Sequence, residues 1–122
     1  MAKIIFEIPL KLPSLNEYTN KCRSGWSGGA GMKKQQEKKI SAYLDKVPHT
    51  DNPVYIKFTW VEANKKRDID NIAFAKKFIL DAIVKNRILP NDSPRYIKGF
   101  SDTFQYKDKY KVIVEMEELD IE

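Results

Sequence analysis

A change of hydrophobic period in the middle of the chain constrains its fold more than any other feature. From Val54 to Ala63 the side chains alternate, with Val54, Ile56, Phe58 and Trp60 on one face and Tyr55, Lys57, Thr59 and Val61 on the other. Period two is the pattern of a strand with two distinct faces. From Ile72 the period becomes helical. Ile72, Ala75, Phe78, Ile79, Ala82 and Ile83 gather on one side, Lys77, Asp81 and Lys85 on the other, and Pro90 ends the segment. A strand therefore feeds an amphipathic helix spanning Ile72 to Ile88. Between them lies a basic loop, Asn64-Lys65-Lys66-Arg67, and then Asp68-Ile69-Asp70-Asn71.

The flanks supply further elements. Ile4, Phe6 and Ile8 alternate with Lys3, Ile5 and Glu7 until Pro9, which reads as a strand. Pro13 to Tyr18 reads as a turn in which Ser14 or Asn16 caps the next segment. Ser24 to Gly31 is expected to be a flexible loop acting as a mobile arm, with Trp26 exposed or folded back. Met32 to Lys46 reads as a helix with Ile40, Tyr43, Leu44 and Val47 on its apolar side. Pro48 to Pro53 breaks it, and His49, the single histidine, is expected there as a solvated side chain. Arg95 to Tyr106 and Lys111 to Leu119 read as closing strands joined at Lys107-Asp108-Lys109, with a fraying tail from Glu117 to Glu122. The expected order is strand, helix, strand, helix, strand, strand. This is one α/β (α+β) domain over residues 1–122, a mixed sheet with two main helices packed on it.

Composition narrows the partners. Hydrophobic residues at 42% support one core in a chain of 122 residues, and a formal charge of +5 favours polyanions. One cysteine, Cys22, excludes an intrachain disulfide and fits a reducing compartment. No apolar run is long enough to span a bilayer, and Met1 to Leu12 is too short and too charged for a signal peptide, so a cytoplasmic protein is expected.

The acids carry the candidate chemistry. Phosphodiester hydrolysis builds negative charge on the phosphate and the leaving oxygen, and hard divalent cations held by a few carboxylates stabilise it. Asp68 and Asp70 are two residues apart, which in an extended segment puts both on one face. Asp92 comes after the helix and closes a three-acid cluster if the chain folds back. Lys77 is expected to point at the cluster, while Lys76 falls on another side of a continuous helix. Lys65, Lys66 and Arg67 beside the acids, with Lys33, Lys34 and Lys76 elsewhere, form a candidate phosphate track. Each acid also has an ordinary explanation. Asp70 or Asn71 suits a helix N-cap, Asp68 a pair with Lys65 or Lys66, Asp92 a turn, and Lys77 a pair with Asp81.

Arg67-Asp68-Ile69-Asp70-Asn71, followed by Lys77-Phe78-Ile79-Leu80-Asp81-Ala82 and Asn91-Asp92-Ser93, resembles the RusA-like Holliday junction resolvases of phages and bacteria. Leu12-Pro13-Ser14-Leu15-Asn16-Glu17-Tyr18 is similar to that family's P-S-x-N-x-x-Y segment. The resemblance covers most of the chain with its order preserved. It implies an α/β homodimer that binds four-way DNA junctions and cuts them symmetrically with Mg²⁺ or Mn²⁺. It implies metal-binding catalytic roles for Asp68, Asp70 and Asp92, and Lys77 as active-site lysine. The family lysine stands four residues after the second acid, where this chain has Phe74; Lys77 matches instead by its distance to Asp81. The alternatives are a non-catalytic basic DNA-binding phage protein, and a structural or partner-binding protein with no nucleic-acid role.

Overall fold

The computed structural model describes residues 2–25 and 27–119. Its elements are β1 (Lys3–Ile8), α1 (Leu15–Arg23), α2 (Gly28–Ser41), β2 (Val54–Glu62), α3 (Ile69–Ala73), α4 (Lys76–Lys85), β3 (Ile97–Tyr106) and β4 (Lys111–Glu118). The four strands form one mixed sheet in the order β1-β4-β2-β3. β4 pairs antiparallel with β1 and with β2, and β3 pairs parallel with β2. Parallel neighbours need a crossover connection, and α3 and α4 supply it.

Period two decides which face is covered. Phe6, Ile8, Val54, Ile56, Phe58, Trp60, Val112, Val114 and Met116 are buried against Ile72, Phe78, Ile79, Ala82 and Ile83 of the crossover and Ile40 of α2. The opposite face carries a charge ladder instead: Lys3 pairs with Glu115 and Glu117, Lys57 with Glu115, and Lys111 with Glu7. The domain is therefore two layers, with one face of the sheet open. Among the described residues no helix is long and apolar enough to cross a membrane.

Four expectations change. A helix, α1, comes directly after Pro13, and Ser14 caps it. Its hydroxyl accepts from the Glu17 N–H at 3.2 Å, and the Glu17 carboxylate accepts from the Ser14 N–H at 3.3 Å. The glycine-rich run is the first turn of α2, which begins at Gly28, and Trp26 lies outside the described residues. The glycines there serve close packing. A Cβ on Gly28 would collide with the Lys21 carbonyl oxygen, and one on Gly29 would lie 2.6 Å from Cys22 Sγ. Gly28→Ala is accordingly expected to cost about 1–3 kcal/mol, read from the urea midpoint, because backbone cannot yield to the new methyl. The long helix is also broken, into α3 from Ile69 and α4 from Lys76. Of the expected fraying tail, Glu117 and Glu118 lie within β4, and Asp120 to Glu122 lie outside the described residues.

α4 ends in a Schellman arrangement. Arg87 takes a positive φ of 57°, the Ile88 N–H donates to the Ile83 carbonyl, and the Arg87 N–H donates to that of Val84. His49 packs on this end, its Nδ1 2.5 Å from the Arg87 carbonyl oxygen and its Nε2 2.8 Å from Asp51 Oδ1. The Arg87 carbonyl first, and Asp51 second, raise its pKa. A raised value in the folded state stabilises the fold below the unfolded histidine range, and that stabilisation is lost as pH rises through the folded pKa. The Tm advantage of the native chain over His49→Gln is therefore expected to be larger near pH 5 than near pH 8.

Candidate functional site

The acid motif is fastened at both of its ends. Glu62 continues the inward alternation of β2 and is buried, so its carboxylate needs a partner there. Arg67 provides one. Its Nε donates to Glu62 Oε1 at 2.9 Å and its Nη2 to Oε2 at 2.7 Å, a bidentate pair, while Nη1 donates to the Leu12 carbonyl at 2.9 Å. At the far end, the Asn71 side-chain oxygen accepts the Asn16 N–H at 3.2 Å. Arg67 and Asn71 thus staple the acid segment to the Pro13–Asn16 segment. Three of the five N–H donors of Arg67 are engaged within the protein, so it positions the motif.

Between the staples, Asp68 is the N-cap residue of α3 with extended backbone, and its side chain makes no capping hydrogen bond. Asp70 lies in the first turn of α3. Because the helix opens at Ile69, three residues earlier than the period suggests, two positions of separation place the carboxylates on different sides and not on one. Asp68 lines a polar hollow of about 130 Å³ with Ser14, Asn16, Lys66, Arg67 and Asn71. Asp70 lines another, of about 400 Å³, with Ile69, Ala73 and the β3 residues Phe100, Ser101, Asp102 and Phe104. Both carboxylates are exposed. The ion pairs nearby join Arg67 to Glu62 and Glu17, and Lys76 to Asp102, and leave both of these aspartates free among the described residues.

Asp92 does not join them. It sits on an exposed turn where the Ser93 N–H donates to Asn91 Oδ1 and the Ser93 carbonyl accepts the N–H groups of Tyr96 and Ile97. This loop enters the sheet at the Val54 end of β2, where the Val54 N–H donates to the Tyr96 carbonyl, whereas the acid motif leaves from the Glu62 end. Among the described residues no group of three His, Cys, Asp or Glu side chains stands ready to hold a metal. The donor chemistry of Asp68 and Asp70, exposed hard oxygens, does suit a cation such as Mg²⁺, which takes one or two carboxylates and keeps waters or substrate phosphate for the rest.

The lysine linked to the Asp70 hollow, through Asp102, is Lys76. Its Nζ donates to Asp102 Oδ2 at 2.7 Å, and Asp102 Oδ1 accepts the Trp60 indole N–H at 2.9 Å. The ammonium also lies over the rings of Phe100, at 4.9 Å, and Phe58, at 5.5 Å. Lys77 is exposed and faces α1. It acts there on the Tyr18 phenol, whose pKa is raised first by a hydrogen bond with Cys22 and then by desolvation, with Lys77 opposing the rise. The break at Phe74 and Ala75 interrupts the continuous helix on which the projection to Lys77 relies, and Lys76, the first residue of α4, is the lysine that reaches Asp102.

The other lysines divide into two groups. Lys66 borders the Asp68 hollow, and Lys65 lies over the Tyr106 ring at 5.3 Å. Lys33 lies over the Tyr18 ring at 5.9 Å, and Lys34 lines a hollow between α2 and α4 with Lys38 and Lys85. No family model and no curated protein matches this chain.

Two residues of the site escaped the sequence reading, Asp102 and Glu62. Both had a signal. Each is an acid at an inward position of a strand, between or after aromatic neighbours, and an acid there needs a designated partner.

Proposed function

We propose that the protein is a metal-dependent, structure-specific DNA endonuclease that acts on four-way junctions or other branched DNA, in the manner of the RusA-like resolvases it resembles. The observation that carries this reading is a pair of exposed, unpaired carboxylates, Asp68 and Asp70, fixed by two staples beside basic side chains in a chain of net charge +5. The staples hold the backbone of the motif while both carboxylates stay open to solvent and free to take a ligand. Mg²⁺ or Mn²⁺ held by Asp70 would supply Lewis acidity and a more acidic water, and Asp68, which lines a separate hollow, would join as a ligand once the two carboxylates are drawn together. Asp92 is the third ligand implied by the resemblance, and the loop between α4 and β3 would have to move to bring it in.

The chain's own groups do the rest. Water oxygen bonds to phosphorus and gives up a proton to solvent, the bond from phosphorus to the leaving deoxyribose oxygen breaks, that oxygen takes up a proton from solvent, and charge grows on the phosphate oxygens in between. Lys76, beside the Asp70 hollow, offsets that charge. Lys65 and Lys66 bind flanking phosphates, and the exposed lysines of α2, Lys33 and Lys34, bind an arm of the DNA. Two active sites in a homodimer would nick opposed strands.

The test is a synthetic four-way junction incubated with the protein in Mg²⁺, Mn²⁺ or EDTA. Paired nicks with either metal and none in EDTA support the reading. Salt-dependent binding without nicks under all three conditions supports a non-catalytic DNA-binding module, which the separation of Asp92 from the other acids favours. Absence of both binding and nicking removes nucleic acid from the function.

A further inference from the structure

Asp102 is the least expected side chain near the acids. Its register partner on β2 is Phe58, and the flanking pairs are Phe100 with Ile56 and Phe104 with Trp60. It therefore faces the helices from an edge strand otherwise apolar on that side. It is about three-quarters shielded, with 24% side-chain exposure, and Lys76 has 23%. One carboxylate oxygen takes the Lys76 ammonium and the other takes the Trp60 indole N–H, so both oxygens are engaged and their directions set. The same carboxylate lines the hollow with Asp70.

We infer that Asp102 is a positioning residue, which, held by Trp60, fixes the Lys76 ammonium beside the Asp70 hollow for the substrate phosphate. This rests on the nuclease reading for its purpose, though not for its geometry. A lysine carries four rotatable bonds and a strongly hydrated head, so an unfixed one spreads its charge over many positions. Trp60 is buried and stacked on Phe58, with ring centroids 5.5 Å apart, so its N–H is a rigid anchor. Asp102 passes that rigidity on to the ammonium, and the Phe58 and Phe100 rings close round it. The pair borders the hollow that Asp70 lines through its Asp102 member.

The experiment has two arms. In the first, Asp102→Asn, Lys76→Met and the double variant are compared in single-turnover cleavage of a four-way junction with Mg²⁺, with junction Kd and Tm measured for each. Asp102→Asn is expected to slow cleavage about 10–100-fold with little change in Kd, the usual loss when an orienting partner is removed. Lys76→Met is expected to slow it at least as much. The double variant is expected to be no slower than Lys76→Met, because Asp102 acts only through that amine. Losses that multiply, or wild-type cleavage by Asp102→Asn, overturn the inference. In the second arm, acetic anhydride labels the DNA-free protein and mass spectrometry reads each lysine. Lys76 is expected to react more slowly than exposed Lys77 in the native chain and to catch up in Asp102→Asn. Equal rates in the native chain overturn the inference. Trp60→Phe, which removes the N–H anchor and also shrinks a buried ring, repeats both arms with Tm measured alongside if Asp102→Asn does not fold. A native chain that cuts no DNA sinks the nuclease reading, and the labelling arm alone then decides whether Asp102 fixes Lys76.

Discussion

Asp70→Asn is expected to lower single-turnover cleavage of a four-way junction by at least about a hundred-fold while junction binding stays level or tightens. The substitution keeps the size of the side chain and its place in the first turn of α3, so the fold is not at issue. What changes is charge. An amide is a poor ligand for a hard cation, which removes the stabilisation of the transition state. An amide also repels an incoming phosphate less than a carboxylate does, which strengthens binding in the absence of metal. Nicking and gel-shift assays on the same preparation separate the two effects. Native rates of cleavage by this variant would remove Asp70 from the mechanism and, with it, the central acid of the proposed site.

Arg67→Ala is expected to cost about 3–5 kcal/mol of folding free energy, measured by urea or thermal unfolding, because it strands a buried carboxylate. Glu62 has only 5% side-chain exposure, and Arg67 supplies both of its bonds. The loss is a large share of the roughly 5–15 kcal/mol that holds a domain together. Arg67→Lys keeps the charge but not the fork, so an intermediate loss is expected. A surface arginine whose only task is to touch DNA would show almost no loss in either measurement.

Much of the sheet was legible in the sequence, because period two survives wherever one face is buried and the other wet. β1 and β2 were marked in this way, and β3 and β4 were read only as closing strands around a turn. α1 was not. Leu15–Arg23 buries none of its residues fully and its apolar stripe is only Leu15, Tyr18 and Cys22, so the Ser14 cap was its main signal. The glycines of α2 suggested looseness because composition cannot say whether a missing Cβ serves freedom or a tight crossing. The break between α3 and α4 carries no proline or glycine. It accompanies the packing of Phe74 on Tyr18 and Phe78, with ring centroids 5.3 and 5.7 Å apart, and such long-range contacts are invisible in a local window. That break moved the candidate lysine from Lys77 to Lys76. The acids were found as residues but not as an arrangement. Asp68 and Asp70 diverge because a helix begins between them, and Asp92 remains at the other end of β2.

The open border of the sheet has a consequence for assembly. β3 pairs with β2 alone, so the outer backbone of Ile97–Tyr106 is free to template another strand. A strand added there would lie in the plane of the sheet beside Phe100, Asp102 and Phe104, so the charged Asp102 carboxylate interrupts the apolar row that such an addition would extend.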